Sequence, residues 1–183
     1  PLAVHIDNGW NSELSISNIE KIINKLNIDL YTLVLDWEEF KDLQLSFLEA
    51  SVSDAEIPTD IAITSGLHKT AAELGIKYII FGDSIRTQGT APVGWTYQDG
   101  KYIESVHKRF GRRKLRRYPN LTLLKLLYYL FVARIRAVSI LEYIDYDKES
   151  ASIILQKELG WRPYGGKHHE SLYSRFFQSY ILP

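Results

Sequence analysis

The chain has 183 residues and a mass of 21.2 kDa, the length of one domain with a real core. Its 22 Lys and Arg balance 22 Asp and Glu, which excludes a generally basic nucleic-acid binder and an acidic tail protein but leaves room for a local patch. Without cysteine it offers no disulfide, thiolate metal site or cysteine nucleophile; without methionine, and with Pro1 first, it reads as a fragment of a longer protein or a sequence from which residues have been lost.

Residues 2–6 form a short apolar run closed by Asp7-Asn8-Gly9, which predicts a buried strand and a turn. Ile16, Ile19, Ile22, Ile23 and Leu26 recur at helical spacing, with Asn11 or Ser12 as N-cap. A second strand is expected over 30–35, and a second amphipathic helix on Trp37, Phe40, Gln44, Phe47 and Leu48. Pro58 punctuates the next connection. A third helix follows over 61–74 with Gly75 at C′, then a third strand over 77–81 before Gly82. The order β-α-β-α-α-β, with continuous apolar strands, predicts an α/β protein whose parallel sheet is covered on both faces. Ligands of such sheets bind beyond the carboxyl ends of the strands, which singles out residues 7–13 and the long polar loop 82–94.

The second half reads as mainly helical. Helices are expected over 102–110, 121–132, 148–159 and 170–180, with a strand or extended crossing over 135–140. Asp147 is the expected N-cap and Gly160 the stop of the third of these. The segment 121–132 is apolar enough to predict a buried helix. The longest apolar run, 121–138, is interrupted by Lys125, Arg134 and Arg136, so no membrane span is expected. No export signal is read at the N-terminus, and the default expectation is a cytoplasmic protein.

Several stretches can carry chemistry. His5-Ile6-Asp7-Asn8-Gly9-Trp10-Asn11-Ser12-Glu13 leaves main-chain groups and short polar side chains at the sheet's carboxyl edge, able to read an adenine or a ribose; the same residues equally make a plain turn and helix cap. At Gly82-Asp83-Ser84, glycine lets a phosphate approach, Asp83 can hold Mg²⁺ and Ser84 can bond a phosphate, or Asp and Ser simply cap a turn. Lys167-His168-His169-Glu170 follows two glycines; one histidine pair, with His5, His68 and His107 scattered, does not make a metal site, and none is assigned. Lys167 is the better anion ligand there. Lys108, Arg109, Arg112, Arg113, Lys114, Arg116 and Arg117 crowd one short segment flanked by Tyr102, Phe110 and Tyr118. This is a solvated face, a dock for an anionic sugar nucleotide, or a nucleic-acid surface; the neutral overall charge disfavours nucleic acid. Trp161, Tyr164, Tyr173, Phe176, Phe177 and Tyr180 read as a packed helix face.

On these residues the chain resembles the N-acetyl sugar amidotransferases of bacterial surface-polysaccharide (lipopolysaccharide O-antigen) biosynthesis, in the PP-loop ATP pyrophosphatase superfamily. The matching stretches are His5 to Glu13, Asp36-Trp37-Glu38-Glu39-Phe40-Lys41-Asp42-Leu43-Gln44, Ile57-Pro58-Thr59-Asp60, Gly75-Ile76-Lys77-Tyr78-Ile79, His107-Lys108-Arg109-Phe110-Gly111, Leu159-Gly160-Trp161, Gly166-Lys167-His168-His169-Glu170-Ser171 and the final Phe176 to Pro183. Each is modest alone; their order and spacing over the whole chain are specific. The resemblance implies a Rossmann-like, doubly wound, mostly parallel sheet of the adenine nucleotide alpha hydrolase kind with a C-terminal helical appendage. It divides the chain into a partial nucleotide-binding region over 1–100 and a mainly helical substrate-side extension over 101–183. Its activity would be ATP- and Mg²⁺-dependent conversion of a sugar acetamido group to an acetamidino group, with ammonia from a glutaminase subunit. The resemblance puts Asp7, Asn8, Gly9 and Trp10 near adenosine, Gly82 and Ser84 near the phosphates, Lys167 and His168 near a phosphate or sugar carboxylate, and Arg112 or Arg113 on the nucleotide-linked sugar. The chain departs from the family in lacking its cysteine-rich segment, its first strand and its Ser-Gly-Gly-x-Asp-Ser loop. The sheet should therefore have a gap between the strands at Ala3 and Lys77, and this fragment alone should bind ATP weakly and be inactive. A tRNA-modifying PP-loop enzyme and a non-catalytic nucleotide-binding scaffold for a glutaminase are the alternatives.

Overall fold

Strand β1 (Leu2–Asp7) runs parallel to β2 (Asp29–Val34), with Leu2 opposite Asp29 and Asp7 opposite Val34. A parallel pair needs a crossover, and helix α1 (Glu13–Leu26) supplies it. Ser12 is its N-cap, its hydroxyl accepting from the Ser15 amide at 3.2 Å, and Asn27 closes it in the left-handed region at φ 50. This strand–helix–strand unit belongs with the chain's other end: Pro1–Val34 and Tyr146–Pro183 form one compact unit, Leu35–Asp145 a second. The structure, a computed structural model, describes residues 1–83, 99–166 and 169–181.

In the first unit, α6 (Lys148–Leu159) starts on Asp147 and stops at Gly160, whose φ of +67 is natural only to glycine. Asn18, fully buried on α1, ties α1 to the chain after α6. Its side chain donates to the Arg162 carbonyl at 2.8 Å and accepts from the Arg162 amide at 2.9 Å. Lys21 adds a bond to the Gly160 carbonyl. The chain ends in α7 (Leu172–Phe176), capped by Ser171, and a π turn over Phe177–Ile181.

In the second unit, α2 (Trp37–Glu49) starts on Asp36 and packs against α3 (Ile57–Glu73) and α4 (Gly100–Phe110). Phe40, Leu43 and Phe47 recur at the helical period on α2 and form the core with Ile57, Ile61, Ile103 and Ile135, all buried. Strand β3 (Tyr78–Phe81) pairs in parallel with β4 (Arg136–Ser139), with Tyr78 opposite Arg136 and Phe81 opposite Ser139. Between α4 and β4 lie a loop, the short α5 (Leu123–Leu127) and a π turn over Tyr128–Val132.

Among the described residues the protein is therefore α/β, with seven α-helices and two separate two-stranded parallel sheets. Two expectations change. Helix α3 starts at Ile57, with Pro58 inside its first turn, where a missing amide costs nothing. The segment 121–132 is not a buried helix: Leu123, Leu124 and Phe131 are 69%, 79% and 72% exposed, and only Leu121 and Tyr129 are buried. An all-apolar segment carries no directional pattern, so composition alone overstates its burial. The aromatic C-terminal face is likewise divided: Tyr173 and Phe177 are buried, while Phe176 and Tyr180 are exposed.

Candidate functional site

The loop after β1 is built by its own short polar side chains. Asp7 Oδ1 accepts from the Gly9 amide at 3.0 Å and from Asn11 Nδ2 at 3.2 Å; Asn8 Oδ1 accepts from the Trp10 amide at 3.1 Å. Each side chain folds back two residues on, an Asx turn, and Gly9 takes the φ of 81 that two such turns in succession require. His5 Nε2 lies 3.3 Å from Asn11 Nδ2, an arrangement in which the ring nitrogen accepts from the amide. Asp7 Oδ2 and Asn8 Nδ2 make no hydrogen bond within the described residues, so the loop offers a carboxylate oxygen and an amide donor at the carboxyl end of β1. A ribose hydroxyl and an adenine ring nitrogen can use that pair.

The same loop is fastened to the segment before α7. Ser12 N donates to the Glu170 carbonyl at 3.0 Å, Leu172 N donates to the Trp10 carbonyl at 2.8 Å, and Asn11 and Ser171 form an antiparallel bridge. The Trp10 ring lies 5.7 Å from Tyr173, which stacks on Phe177. Lys167 and His168 lie outside the described residues, a few positions before this contact.

At the carboxyl ends of β3 and β4, Asp83 Oδ1 accepts from the Ser139 hydroxyl at 3.0 Å. Gly82 is exposed, with open space where a Cβ would stand, so a ligand can reach its backbone. Ser84 lies outside the described residues. Among the described residues no three His, Asp or Glu side chains are placed to hold a metal ion, and this end offers a Mg²⁺ the Asp83 carboxylate alone.

The basic segment has a construction that the sequence does not announce. Residues 111–118 form a strap fastened to α2 by two carboxylates one turn apart. Asp42 accepts from the amides of Arg112 and Arg113, each at 2.9 Å. Glu39 Oε2 accepts from those of Arg116, Arg117 and Tyr118 at 2.8, 2.8 and 3.1 Å. His107 Nε2 sits 3.0 Å from Asp42, both side chains about nine-tenths buried, so the ring N–H donates to the carboxylate. Burial pushes the Asp42 carboxyl up, but the Arg113 amide, His107 and the Arg112 amide outweigh it and hold the group below the usual range. Gly111 lies against the His107 ring with no room for a Cβ. Tyr118 closes the strap: its ring stacks on Phe40 and its hydroxyl donates to the Pro58 carbonyl at 2.7 Å. Burial, with the Asp60 charge, pushes that phenol far above its usual range, so it stays a neutral donor.

With its amides turned inward, the strap directs its cations outward. Arg112 pairs with Glu49 at 2.7 Å, Arg113 with Glu38 at 2.9 Å and Arg117 with the half-buried Asp36 at 3.3 Å, the three guanidinium groups all exposed. Lys114 and Arg116 have no acidic partner within the described residues. Two open clefts of about 500 and 480 Å³ flank the Arg113–Glu38 pair, and both residues line both clefts. Lys41, Asp42 and Arg112 line the first; Asp36, Glu39, Lys114 and Arg116 line the second.

The structure thus gathers Asp7, Asn8, Gly9 and Trp10 into one loop, places Gly82 at the end of β3, and sets Arg112 and Arg113 on the strap. No protein-family model, curated protein or solved structure matches the chain. Among the described residues no helix is long and apolar enough to cross a membrane. Sequence reasoning missed Glu39 and Asp42 as the clamps of the basic segment. The available signal was two acids spaced i, i+3 on α2, but nothing local links them to amides some 70 to 79 positions away.

Proposed function

We propose that the protein is an ATP-dependent amidotransferase of the N-acetyl sugar type. The observation that supports it is the assembly of the resembling motifs. His5 to Glu13 and the segment at Gly166 to Leu172, at opposite ends of the chain, are joined by two main-chain hydrogen bonds that make one antiparallel bridge. The stretches at Asp36, Ile57 and His107 meet through Asp42, Glu39 and Tyr118. Motifs held together by main-chain and buried contacts behave as parts of one device.

In this proposal the acetamido oxygen attacks the α-phosphorus of ATP and pyrophosphate leaves. Ammonia then adds to the activated carbon, AMP departs with the oxygen, and an acetamidino group remains. Ammonia comes from a glutaminase partner. An amide is a poor electrophile with a bad leaving group, so the protein's work is positioning, charge neutralisation and exclusion of water. The Asp7–Trp10 loop receives the adenosine. Gly82 and Ser84 approach the phosphates, and Lys167 and His168 meet a phosphate or sugar carboxylate; a Mg²⁺ held with the Asp83 carboxylate would neutralise phosphate charge.

The test is direct. The full-length protein, with ATP, ammonium and a panel of nucleotide-linked acetamido sugars, is expected to release AMP and pyrophosphate with one of them, and to add one nitrogen in place of one oxygen on the sugar. Absence of AMP with every sugar overturns the proposal.

A further inference from the structure

The strap carries an inference that rests on the proposed function only for the sugar, not for the phosphates. Five cations stand within residues 112–117, on a backbone whose amides are bonded to two buried or half-buried carboxylates. The bonded amides anchor the backbone on both sides of Lys114, so the roots of these charged side chains are held in place before an anion arrives. Two of the five, Lys114 and Arg116, have no acidic partner and line the 480 Å³ cleft, whose volume suits a small ligand. A third, Arg113, stands at the boundary of both clefts and is held back only by Glu38, in a pair whose side chains are 58% and 57% exposed. Exposed pairs of this kind are worth little and exchange readily. A guanidinium can then trade its carboxylate for a phosphate with two-point geometry. The acids on the same cleft are already engaged: Glu39 Oε2 accepts from three amides, and Asp36 caps α2 and pairs with Arg117.

We propose that Lys114, Arg116 and Arg113 form a binding site for the diphosphate of a nucleotide-linked ligand, and that Glu38 is the internal competitor that sets its affinity. The ligand is a small diphosphate and not a nucleic acid, because the acids Asp36, Glu38 and Glu49 stand among the strap's cations and would repel an extended polyanion. On entry, the diphosphate displaces Glu38 from Arg113 and takes up Lys114 and Arg116 from the open side. Glu38 competes weakly with any phosphate for Arg113, and a diphosphate, with more oxygens to share among three cations, gains more contacts than a monophosphate.

The experiment measures binding of pyrophosphate, uridine diphosphate, uridine monophosphate and ATP to the protein by calorimetry at fixed ionic strength. Uridine diphosphate is expected to bind at least tenfold more tightly than the monophosphate. Lys114→Ala with Arg116→Ala should weaken uridine diphosphate at least tenfold; both side chains are exposed and both amides remain, so the fold is kept. Glu38→Gln should tighten it about threefold, a gain that misfolding does not produce. Pyrophosphate binding with the same variant pattern assigns the site to the diphosphate itself, and ATP binding untouched by the variants separates it from the adenosine loop. Unchanged affinity in the double variant overturns the inference, as does a single-stranded RNA 20-mer that outcompetes uridine diphosphate with a steep salt dependence. The two proposals fail separately. Amidation with an unaltered KM for the sugar nucleotide in the double variant sinks this site alone, whereas diphosphate binding without amidation sinks the enzymatic reading alone.

Discussion

Two buried or half-buried carboxylates on α2 do more than any cation near them. Glu39 gathers three consecutive amides and Asp42 gathers two amides and a histidine. Hydrogen bonds to a charged acceptor contribute roughly 1.5–3 kcal/mol, so Glu39→Ala should lower unfolding stability by about 2–3 kcal/mol in denaturant titration. Exchange of the 116–118 amides should accelerate in the same variant; unaltered exchange would show that the clamp is dispensable. Asp42 and Asp60 respond to pH in opposite senses. Asp42 is held below its unfolded value near 4, so its contribution is present above that value and is lost as the pH falls through the folded one. Asp60, at the start of α3, is pushed up to about 7 by burial and by the charges of Asp54 and Glu56. Its ionisation opposes folding, so stability should fall as the pH rises from about 4 to about 7. Asp60→Asn should then gain on the order of 2 kcal/mol at pH 8 and nothing at pH 4, measured by paired melts; an equal gain at both would refute the assignment.

At the scale of elements, close contacts at glycine and one aromatic position decide tolerance. A Cβ at Gly100 would lie 2.5 Å from the Leu121 carbonyl oxygen, which the Gly100 amide itself bonds at 3.0 Å. Gly100→Ala should therefore detach the start of α4 from the following loop, read as a lower Tm. Phe47, fully buried on α2 and edge-on to Tyr102, should cost about 3–5 kcal/mol as alanine. Most elements were legible in the sequence, because capping and periodicity are local signals. Ser12, Asp147 and Gly160 mark helix ends as read, and β1, β2 and β3 fall within a residue or two of their apolar runs. The burial of 121–132 was not legible, because which face meets a neighbour depends on residues such as His68, which touches Tyr129 from a distant helix. At the site, the Asx turns of Asp7 and Asn8 follow from residue type, whereas the seam with residues 170–172 is a long-range pairing that leaves no local trace.

At the scale of the whole molecule, the two units differ in how much they bury. The Leu35–Asp145 unit holds Phe40, Leu43, Phe47, Ile61 and Ile103 out of water. In the other, β2 is exposed at all but one position and α6 has no buried residue. Local opening follows buried apolar contact, so amides of α2 and α4 should exchange slowest and those of β2 and α6 first, by hydrogen-exchange mass spectrometry. The reverse order would mean that further chain covers the β1–β2 pair.

The clamp on the strap reads main chain and ignores side chains. Positions 112, 113, 116, 117 and 118 each owe it an N–H, so proline is the substitution it forbids there, while 114 and 115 are released from that demand. The charges of this surface can accordingly drift over evolutionary time, or be rewritten by design, while the backbone beneath them keeps its course.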